Sequence, residues 1–236
     1  MSLETDLSNA VSALNDTAEA YNGKIGDINA RVDAAVASVP GVMGRNIYIN
    51  AVTGDDANPG TMASPVQSIS GAAGLMASGG FYEINLQTDV VLDERVAFRA
   101  SGVAIVSDVF GETRNLYFAN QVDGVSTKSP ALALLTHGGA LYFEYIALHS
   151  NVMAGHVTER IMINATGITD IRMWHCDFVL PAGADLAFLR KNHGFTLTVV
   201  STTYPAEMAG LWMQNVAAGT DPASVPEIHH TTLGSL

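Results

Sequence analysis

Two carboxylates, Glu144 and Asp170, are the first candidates for catalysis, because hydrolysis of a sugar bond needs one protonated and one ionised carboxyl group. Such groups must lie about 5 Å or about 6.5–9.5 Å apart. Each candidate follows a recurring glycine within a β-type segment, but their offsets from that glycine do not match. We therefore expect solvated or turn-capping carboxylates and no enzymatic activity. The other carboxylates considered are Asp89, Asp93, Glu94, Asp108, Asp177 and Asp185.

Nucleophilic, metal and nucleotide chemistry find no supporting pattern. Cys176 is the single cysteine, and a regular strand would place His175 on the opposite face, so we expect a buried structural thiol. The acidic loop at 54–58 lacks the later ligand positions of an EF-hand, so we expect its side chains to cap turns. The spacing of His175, His193 and His229 is not that of a zinc site. We expect neither a metal nor a cofactor.

Exposed aromatic side chains are the candidate binding groups, because a ring stacks on the apolar face of a sugar. Trp174, at an expected bend in a strand, and Trp212, in the distal part of the chain, are the predicted binding residues. The rest of the pool is expected in the core or in subunit contacts, and comprises Tyr142, Tyr145 and Tyr204.

Composition excludes several classes of partner. The 236 residues include 11 Lys plus Arg against 23 Asp plus Glu, a net charge of -12, so no basic surface is expected for nucleic acid or an anionic membrane. Hydrophobic residues make up 48% and charged residues only 14%, which predicts a sizeable core and a surface that packs against copies of itself. Neither a signal peptide nor a run of about 18 apolar residues is evident, so a soluble protein is expected.

The first forty residues carry a heptad repeat that predicts a helical coiled coil. The pattern is compatible with two or three helices, and a single helix packing on its own domain is the alternative. Gly23 and Gly26 weaken the helix locally, and Pro40 with Gly41 is expected to end it. The predicted seam consists of Leu7, Val11, Leu14, Ala18, Tyr21, Ile25, Ile28, Val32, Ala35 and Val39.

From Asn46 onward the sequence predicts short strands separated by turns. A single short helix is expected at 69–77, ahead of Ser78-Gly79-Gly80. A change in the apolar alternation around Trp174 and His175 predicts a bend there. The predicted strands are 47–49, 81–86, 103–106, 116–118, 141–148, 161–163, 171–178 and 195–200.

A recurring glycine gives the β part a period. Gly111, Gly139, Gly167 and Gly194 follow one another at nearly equal intervals, and similar strands come after the last three. Gly80 leads into a strand in the same way. Three strands and their turns fill about 24–30 residues, which matches the glycine interval and fits one turn of a parallel β-helix. A β-sandwich body is the alternative.

The segment 47–80 resembles a known family. The strand Ile-Tyr-Ile-Asn at 47–50, the loop Gly-Asp-Asp-Ala-Asn-Pro-Gly-Thr at 54–61 and the segment Pro-Val-Gln-Ser-Ile at 65–69 are similar to the opening of the pectin-lyase-like β-helix in bacteriophage tail fibres and tailspikes. Gly71 departs from the better helix former usual there. The resemblance implies a homotrimeric virion protein with a right-handed β-helix, whose helical leader at 1–40 faces the particle and whose body spans 41–236.

Within that body, we expect a capping region at 46–80, β-helix turns at 81–209 and a tail at 210–236. The expected function is adsorption to the host cell by non-catalytic binding, with a surface glycan and other phage virion proteins (tail, adaptor or capsid) as partners. Neither nucleic acid nor membrane insertion is expected. The first alternative is a structural virion component, such as a head fibre, a decoration protein or an adaptor that anchors another fibre. The second is a tailspike that depolymerises polysaccharide.

Overall fold

The computed structural model describes residues 2–119, 131–134, 138–151, 160–164, 167–190 and 194–236, apart from the side chains at 33–43 and 229. The chain forms two compact units, Met1–Gly41 and Val42–Leu236. The first unit is helical and the second is mostly β. In the described residues, no helix combines the length and the apolar character that a membrane span requires.

The helical unit is built from α1 (Leu3–Met43), a helix of 41 residues. The acidic residues Glu4 and Asp6 in its first turn stabilise the helix by interacting with the positive end of its dipole. The helix is as predicted, but its expected end at Pro40 is wrong. A proline in the last turn removes only one backbone hydrogen bond, whereas Gly44, at φ +84°, adopts the left-handed conformation that ends helices.

The seam of α1 is exposed in the single chain. Leu14 and Tyr21, for example, expose 69% and 68% of their surface. Ala35 and Val39 belong to the helix, but their side chains lie outside the described ones. The exposed seam side chains are Leu7, Val11, Leu14, Ala18, Tyr21, Ile25, Ile28 and Val32.

The second unit contains fifteen strands and one short α-helix in its described residues. The helix, α2 (Ile69–Gly74), lies between the first two strands. In chain order the strands are β1 (Asn46–Ile49), β2 (Phe81–Leu86), β3 (Val90–Leu92), β4 (Arg95–Phe98), β5 (Gly102–Ser107), β6 (Arg114–Phe118), β7 (Ala131–Leu134), β8 (Gly139–Glu144), β9 (Ile146–His149), β10 (Ile161–Asn164), β11 (Ile168–Trp174), β12 (Asp177–Val179), β13 (Ala187–Arg190), β14 (Phe195–Val200) and β15 (Ile228–Thr231).

The strands form three parallel sheets. Sheet 1 has the order β1-β2-β5-β8-β11-β14-β15, sheet 2 the order β4-β7-β10-β13 and sheet 3 the order β3-β6-β9-β12. From β2 to β14 the chain visits sheets 1, 3 and 2 in turn, so each strand pairs with the third strand along. The expectation of a mainly β protein with an N-terminal helix is confirmed. Parallel pairing throughout the named strands is not that of an antiparallel β-sandwich.

Each predicted strand overlaps an observed one, and two of them are interrupted. The predicted strand 141–148 is split at Tyr145, at φ +53°, between β8 and β9. The bend expected near Trp174 is confirmed, because His175 adopts φ +51° between β11 and β12. Ser201, at φ +49°, follows β14 in the same way, so one left-handed corner recurs where the chain leaves sheet 1. Strands β3, β4, β7, β13 and β15 were not predicted.

The recurring glycines occupy equivalent places in sheet 1, with one exception. Gly80, Gly139, Gly167 and Gly194 lead into or open β2, β8, β11 and β14. Gly111 is the exception, since it lies in the turn before β6. β5 begins at Gly102 instead, which is closer to Gly80 than the regular interval would place it.

The core is a single cluster that draws buried side chains from all three sheets. In sheet 1, alternate residues point into it and form rows across adjacent strands. One such row is fully buried and consists of Tyr82, Val103, Leu141, Ile171 and Leu197.

The acidic loop before α2 holds the N-cap of that helix, Ser68, whose side chain accepts a hydrogen bond from the Gly71 N–H at 2.9 Å. Oδ1 of Asp56 accepts hydrogen bonds from the backbone N–H groups of Gln67 and Ser68 at 2.8 and 2.9 Å, and Oδ2 accepts one from the Ser68 hydroxyl at 2.7 Å. Partial burial raises the pKa of Asp56, but these hydrogen bonds outweigh it and hold the pKa below its ordinary value. The helix ends at Gly74, earlier than the predicted end at 77.

Gly71 is explained by the same contact, since a Cβ atom there would lie 2.1 Å from Oδ1 of Asp56. We expect Gly71→Ala to destabilise the body by about 1–3 kcal/mol, because the carboxylate must leave the backbone donors that it caps. Gly74→Ala is the matched control, with no atom within 4 Å of the added Cβ. It should stabilise the body by about 0.4–1 kcal/mol. Urea unfolding of both variants measures the difference, and equal shifts would contradict this account of Gly71.

The C-terminal tail covers one end of the sheets. β15 pairs with β14, and the Thr232 hydroxyl both donates to the Val199 carbonyl and accepts from its N–H at 2.8 Å. Leu236 is buried, and its N–H donates to the Thr220 carbonyl at 3.1 Å. The tail therefore contributes to the core as well as to sheet 1.

Candidate functional site on the outer face of sheet 1

The outer face of sheet 1 displays the side chains that alternate with the core rows. Three outer rows follow from the strand register. The first contains Phe81, Gly102, Ala140, Asp170 and Thr196; the second Glu83, Ala104, Tyr142, Arg172 and Thr198; and the third Asn85, Val106, Glu144, Trp174 and Val200.

A groove of about 210 Å³ runs along this face. It exists because β5 contributes only small or short outward residues, Gly102, Ala104 and Val106, between larger side chains on β2 and β8. The strand thus forms a floor between two walls. The groove is lined by Phe81, Glu83, Ala104, Val106, Tyr142, Phe143, Glu144, Arg172 and Trp174.

Aromatic rings form one end of the groove. The rings of Phe81 and Tyr142 face each other across Gly102, with centroids 5.7 Å apart and planes tilted by 44°. A Cβ atom on Gly102 would lie 2.4 Å from the Phe81 ring, so a side chain there would displace the ring from its place over β5. Phe81 is 44% exposed and presents an apolar surface to solvent.

An ion pair fixes the middle of the groove. Nη2 and Nε of Arg172 donate to Oδ2 of Asp170 at 2.8 and 2.9 Å, and the guanidinium lies 5.1 Å from the centroid of the Tyr142 ring. The Tyr142 hydroxyl donates to the same carboxylate oxygen at 3.2 Å. Burial and the Asp170 charge raise the pKa of Tyr142, so its phenol remains a neutral donor. Asp170 and Arg172 thus hold the Tyr142 ring in place, and Asp170 neutralises the positive charge of Arg172.

The two predicted binding residues have different environments. Trp174 lies on the outer face beside Glu144 and is 43% exposed, so its ring is accessible and binding there stays a prediction. Trp212 is only 2% exposed and packs edge-on against Phe178, Phe188 and Tyr204. The expectation that Trp212 binds a ligand is therefore corrected, because its ring belongs to the core.

The carboxylates considered for catalysis are dispersed. Glu144 pairs in register with Trp174 and Asp170 with Ala140, so the two lie four positions apart along neighbouring strands, about 13 Å. That separation exceeds what either glycosidase geometry requires.

Several of the other carboxylates hold neighbouring strands or turns together. Asp89 accepts hydrogen bonds from Asn115, and Asp108 pairs with Arg114 at 2.8 Å. Asp177 bonds to Thr203, and Asp185 pairs with Arg160. Asp93 and Glu94 are exposed in the turn between β3 and β4.

The histidine and cysteine beside Trp174 do not form a dyad. Cys176 is buried, as predicted, and burial raises its pKa to about 12. His175 is exposed at the corner and stacks on Tyr145, with centroids 5.0 Å apart and planes at 8°. Among the described residues, no three His, Cys, Asp or Glu side chains come together as metal ligands. His193 and the side chain of His229 lie outside the described part of the chain.

Sequence reasoning missed Phe81, Glu83 and Arg172 as groove residues. The regular glycine interval could have identified Phe81, because it aligns the start of β2 with the other strands of sheet 1. It could not have identified the floor strand β5, because Gly102 falls outside that interval.

Comparison of the chain with family models, with curated proteins and with solved structures finds no match. The residues and geometry of this chain therefore carry the functional argument.

Proposed function

We propose that this protein is a homotrimeric bacteriophage virion component, a short tail fibre or spike, that adsorbs to the host cell by binding a surface glycan without cleaving it. The proposed fold of its body is a right-handed parallel β-helix.

The observation that carries the proposal is the exposed heptad seam of α1. Eight seam side chains with described positions are exposed, and seven of them are larger than alanine. An amphipathic helix of 41 residues gains most of its stability from packing this face. Further copies of the same helix would bury it with matching spacing, which supports a coiled coil, and the proposed trimer supplies two such copies.

The strand order supports the β-helix. Successive strands visit three sheets in turn, and each pairs in parallel with the third strand along the chain. Crossovers between parallel strands of one sheet are almost always right-handed, which favours that hand here. A column of this kind places the outward residues of sheet 1 on one continuous surface.

The groove supports glycan binding. Phe81 and Trp174 offer exposed rings of the type that stack on sugars, and nearby polar groups can bond to hydroxyls. The separation of Glu144 from Asp170 supports binding without hydrolysis by that pair.

Adsorption of fluorescently labelled protein to a panel of bacteria tests the proposed function, with released reducing sugar assayed in the same tubes. Binding without sugar release is expected. Sugar release would instead favour a depolymerase. Binding to no strain, including the host of the phage that carries the protein, would favour a structural virion component that anchors another fibre.

The assembly is tested by replacing Ile25 and Ile28 with aspartate. We expect the native mass to fall to about one third, because charges in the seam oppose helix association. Ala20→Asp with Ala30→Asp is the matched control, since it places the same charges on α1 outside the seam. Light scattering measures the mass. A trimer in both variants would show that the seam does not hold the assembly, and monomers in both would show a general loss of helix.

A further inference from the structure

The charge of the groove on sheet 1 narrows the class of glycan that it fits. Glu83 and Glu144 line the groove, and Asp170 accompanies Arg172 beside it. Three carboxylates against one guanidinium leave a formal charge of about -2 at neutral pH. The chain as a whole carries -12, so no distant excess of positive charge offsets the groove.

Among the described residues that line the groove, Arg172 is the one cation, and it is already paired. Two nitrogen atoms of Arg172 donate to Asp170, and its guanidinium lies over the Tyr142 ring. An anionic sugar would therefore meet a guanidinium whose charge Asp170 already offsets. A uronic or sialic acid would therefore meet uncompensated carboxylates on both sides of the groove.

The two glutamates are placed to accept charge from a ligand. Both side chains are half-buried. Glu83 lies on β2 and Glu144 on β8, on either side of β5, which forms the floor. The carboxylate of Glu83 accepts one hydrogen bond, from the Asn85 amide at 3.2 Å. In the described part of the chain, no hydrogen bond or ion pair engages the Glu144 carboxylate. Aromatic rings border them and exclude part of the solvent, which strengthens an ion pair formed there.

We propose that the groove binds an oligosaccharide containing unacetylated amino sugars, with a pyranose ring stacked on Trp174 and ammonium groups paired with Glu83 and with Glu144. This inference rests on the proposed glycan-binding function and adds its charge selectivity. The aromatic surface supplies the affinity that all pyranoses share, and the carboxylates discriminate among them.

The test compares three oligosaccharides of equal length that differ in charge. Glucosamine oligomers carry amino groups, N-acetylglucosamine oligomers with the same backbone are neutral, and oligogalacturonate is anionic. Titration calorimetry of the full chain at pH 6, where primary amines are protonated and carboxylates ionised, measures the three affinities. We expect the glucosamine oligomer to bind about three- to tenfold more tightly than its acetylated counterpart, and oligogalacturonate most weakly. Added salt should remove most of the difference.

Substitutions in the groove test whether its side chains cause the preference for the amine. Glu83→Gln with Glu144→Gln should abolish the preference for the amine and leave the affinity for the neutral oligomer, whereas Trp174→Ala should weaken all three ligands. Glu94→Gln with Asp93→Asn is the control for net charge, because both residues lie in the exposed turn between β3 and β4.

The outcomes separate the inference from the proposed function. Equal affinity for amine and acetylated oligomers, or a preference that survives the double glutamate substitution, would overturn the inference and leave glycan binding intact. If none of the three oligomers binds while labelled protein still adsorbs to cells, the inference fails and the proposed function stands. Failure of both assays overturns both.

Discussion

Replacing Trp212 with alanine is expected to cost the β unit about 3–5 kcal/mol of unfolding free energy. The side chain is 2% exposed and makes edge-on contacts with Phe178, Phe188 and Tyr204 at centroid distances of 5.2, 5.9 and 5.1 Å. The neighbouring backbone is paired, since the Leu189 N–H donates to the Trp212 carbonyl at 3.1 Å. The surroundings therefore have little freedom to collapse into the cavity, which keeps the cost high.

Urea unfolding followed by circular dichroism, at one fixed protein concentration, measures this loss. Trp174→Ala is the matched control, because the same side chain is removed from a position that is 43% exposed. We expect the control to lose only about 1 kcal/mol, because the Trp174 ring is half-buried. Similar losses for the two variants would mean that Trp212 does not pack in the core.

Gly44→Ala is expected to destabilise the β unit by more than about 3 kcal/mol. A Cβ atom at this position would lie 1.5 Å from the Phe81 carbonyl oxygen, which belongs to the backbone at the start of β2. Side-chain rotation cannot relieve a clash with backbone, so the chain before β1 or the start of β2 must move. The left-handed conformation of Gly44, at φ +84°, adds a further cost of about 1–2 kcal/mol for alanine.

Gly79→Ala separates these two effects. Gly79 has φ +89°, and no atom lies within 4 Å of its added Cβ, so only the conformational cost of about 1–2 kcal/mol is expected. Urea unfolding of both variants provides the comparison. A loss at Gly44 no larger than at Gly79 would contradict the close approach to Phe81. Because Phe81 lines the groove, Gly44→Ala should also weaken sugar binding.

The sequence predicts features that depend on neighbours along the chain. The heptad spacing gives α1, because a helix of this length carries a regular apolar face whatever it packs against. The loss of alternation at Trp174 and His175 gives the corner after β11, because a left-handed residue shifts which face follows. The corner at Tyr145 left no such mark, since the residues around it are apolar at both parities.

Features that depend on contacts across strands were not predictable in this way. The burial of Trp212 leaves no local signal, because its aromatic neighbours come from β12, β13 and the segment after β14. The groove depends on small residues of β5 lying between β2 and β8, a register that no local pattern encodes. Strand β3 has only three residues, which is too short for an alternation to be distinguished from chance.

Each strand from β2 to β11 pairs with the third strand along the chain, so the body is built from a repeating unit. Ile171 lies beside Leu141 on one side and Leu197 on the other, and the chain between each pair passes once through sheets 3 and 2. Duplicating one such interval in the gene would add a strand to each sheet and lengthen the body by about 4.8 Å, with no new type of contact. The body can thus lengthen without a change in how its strands pair.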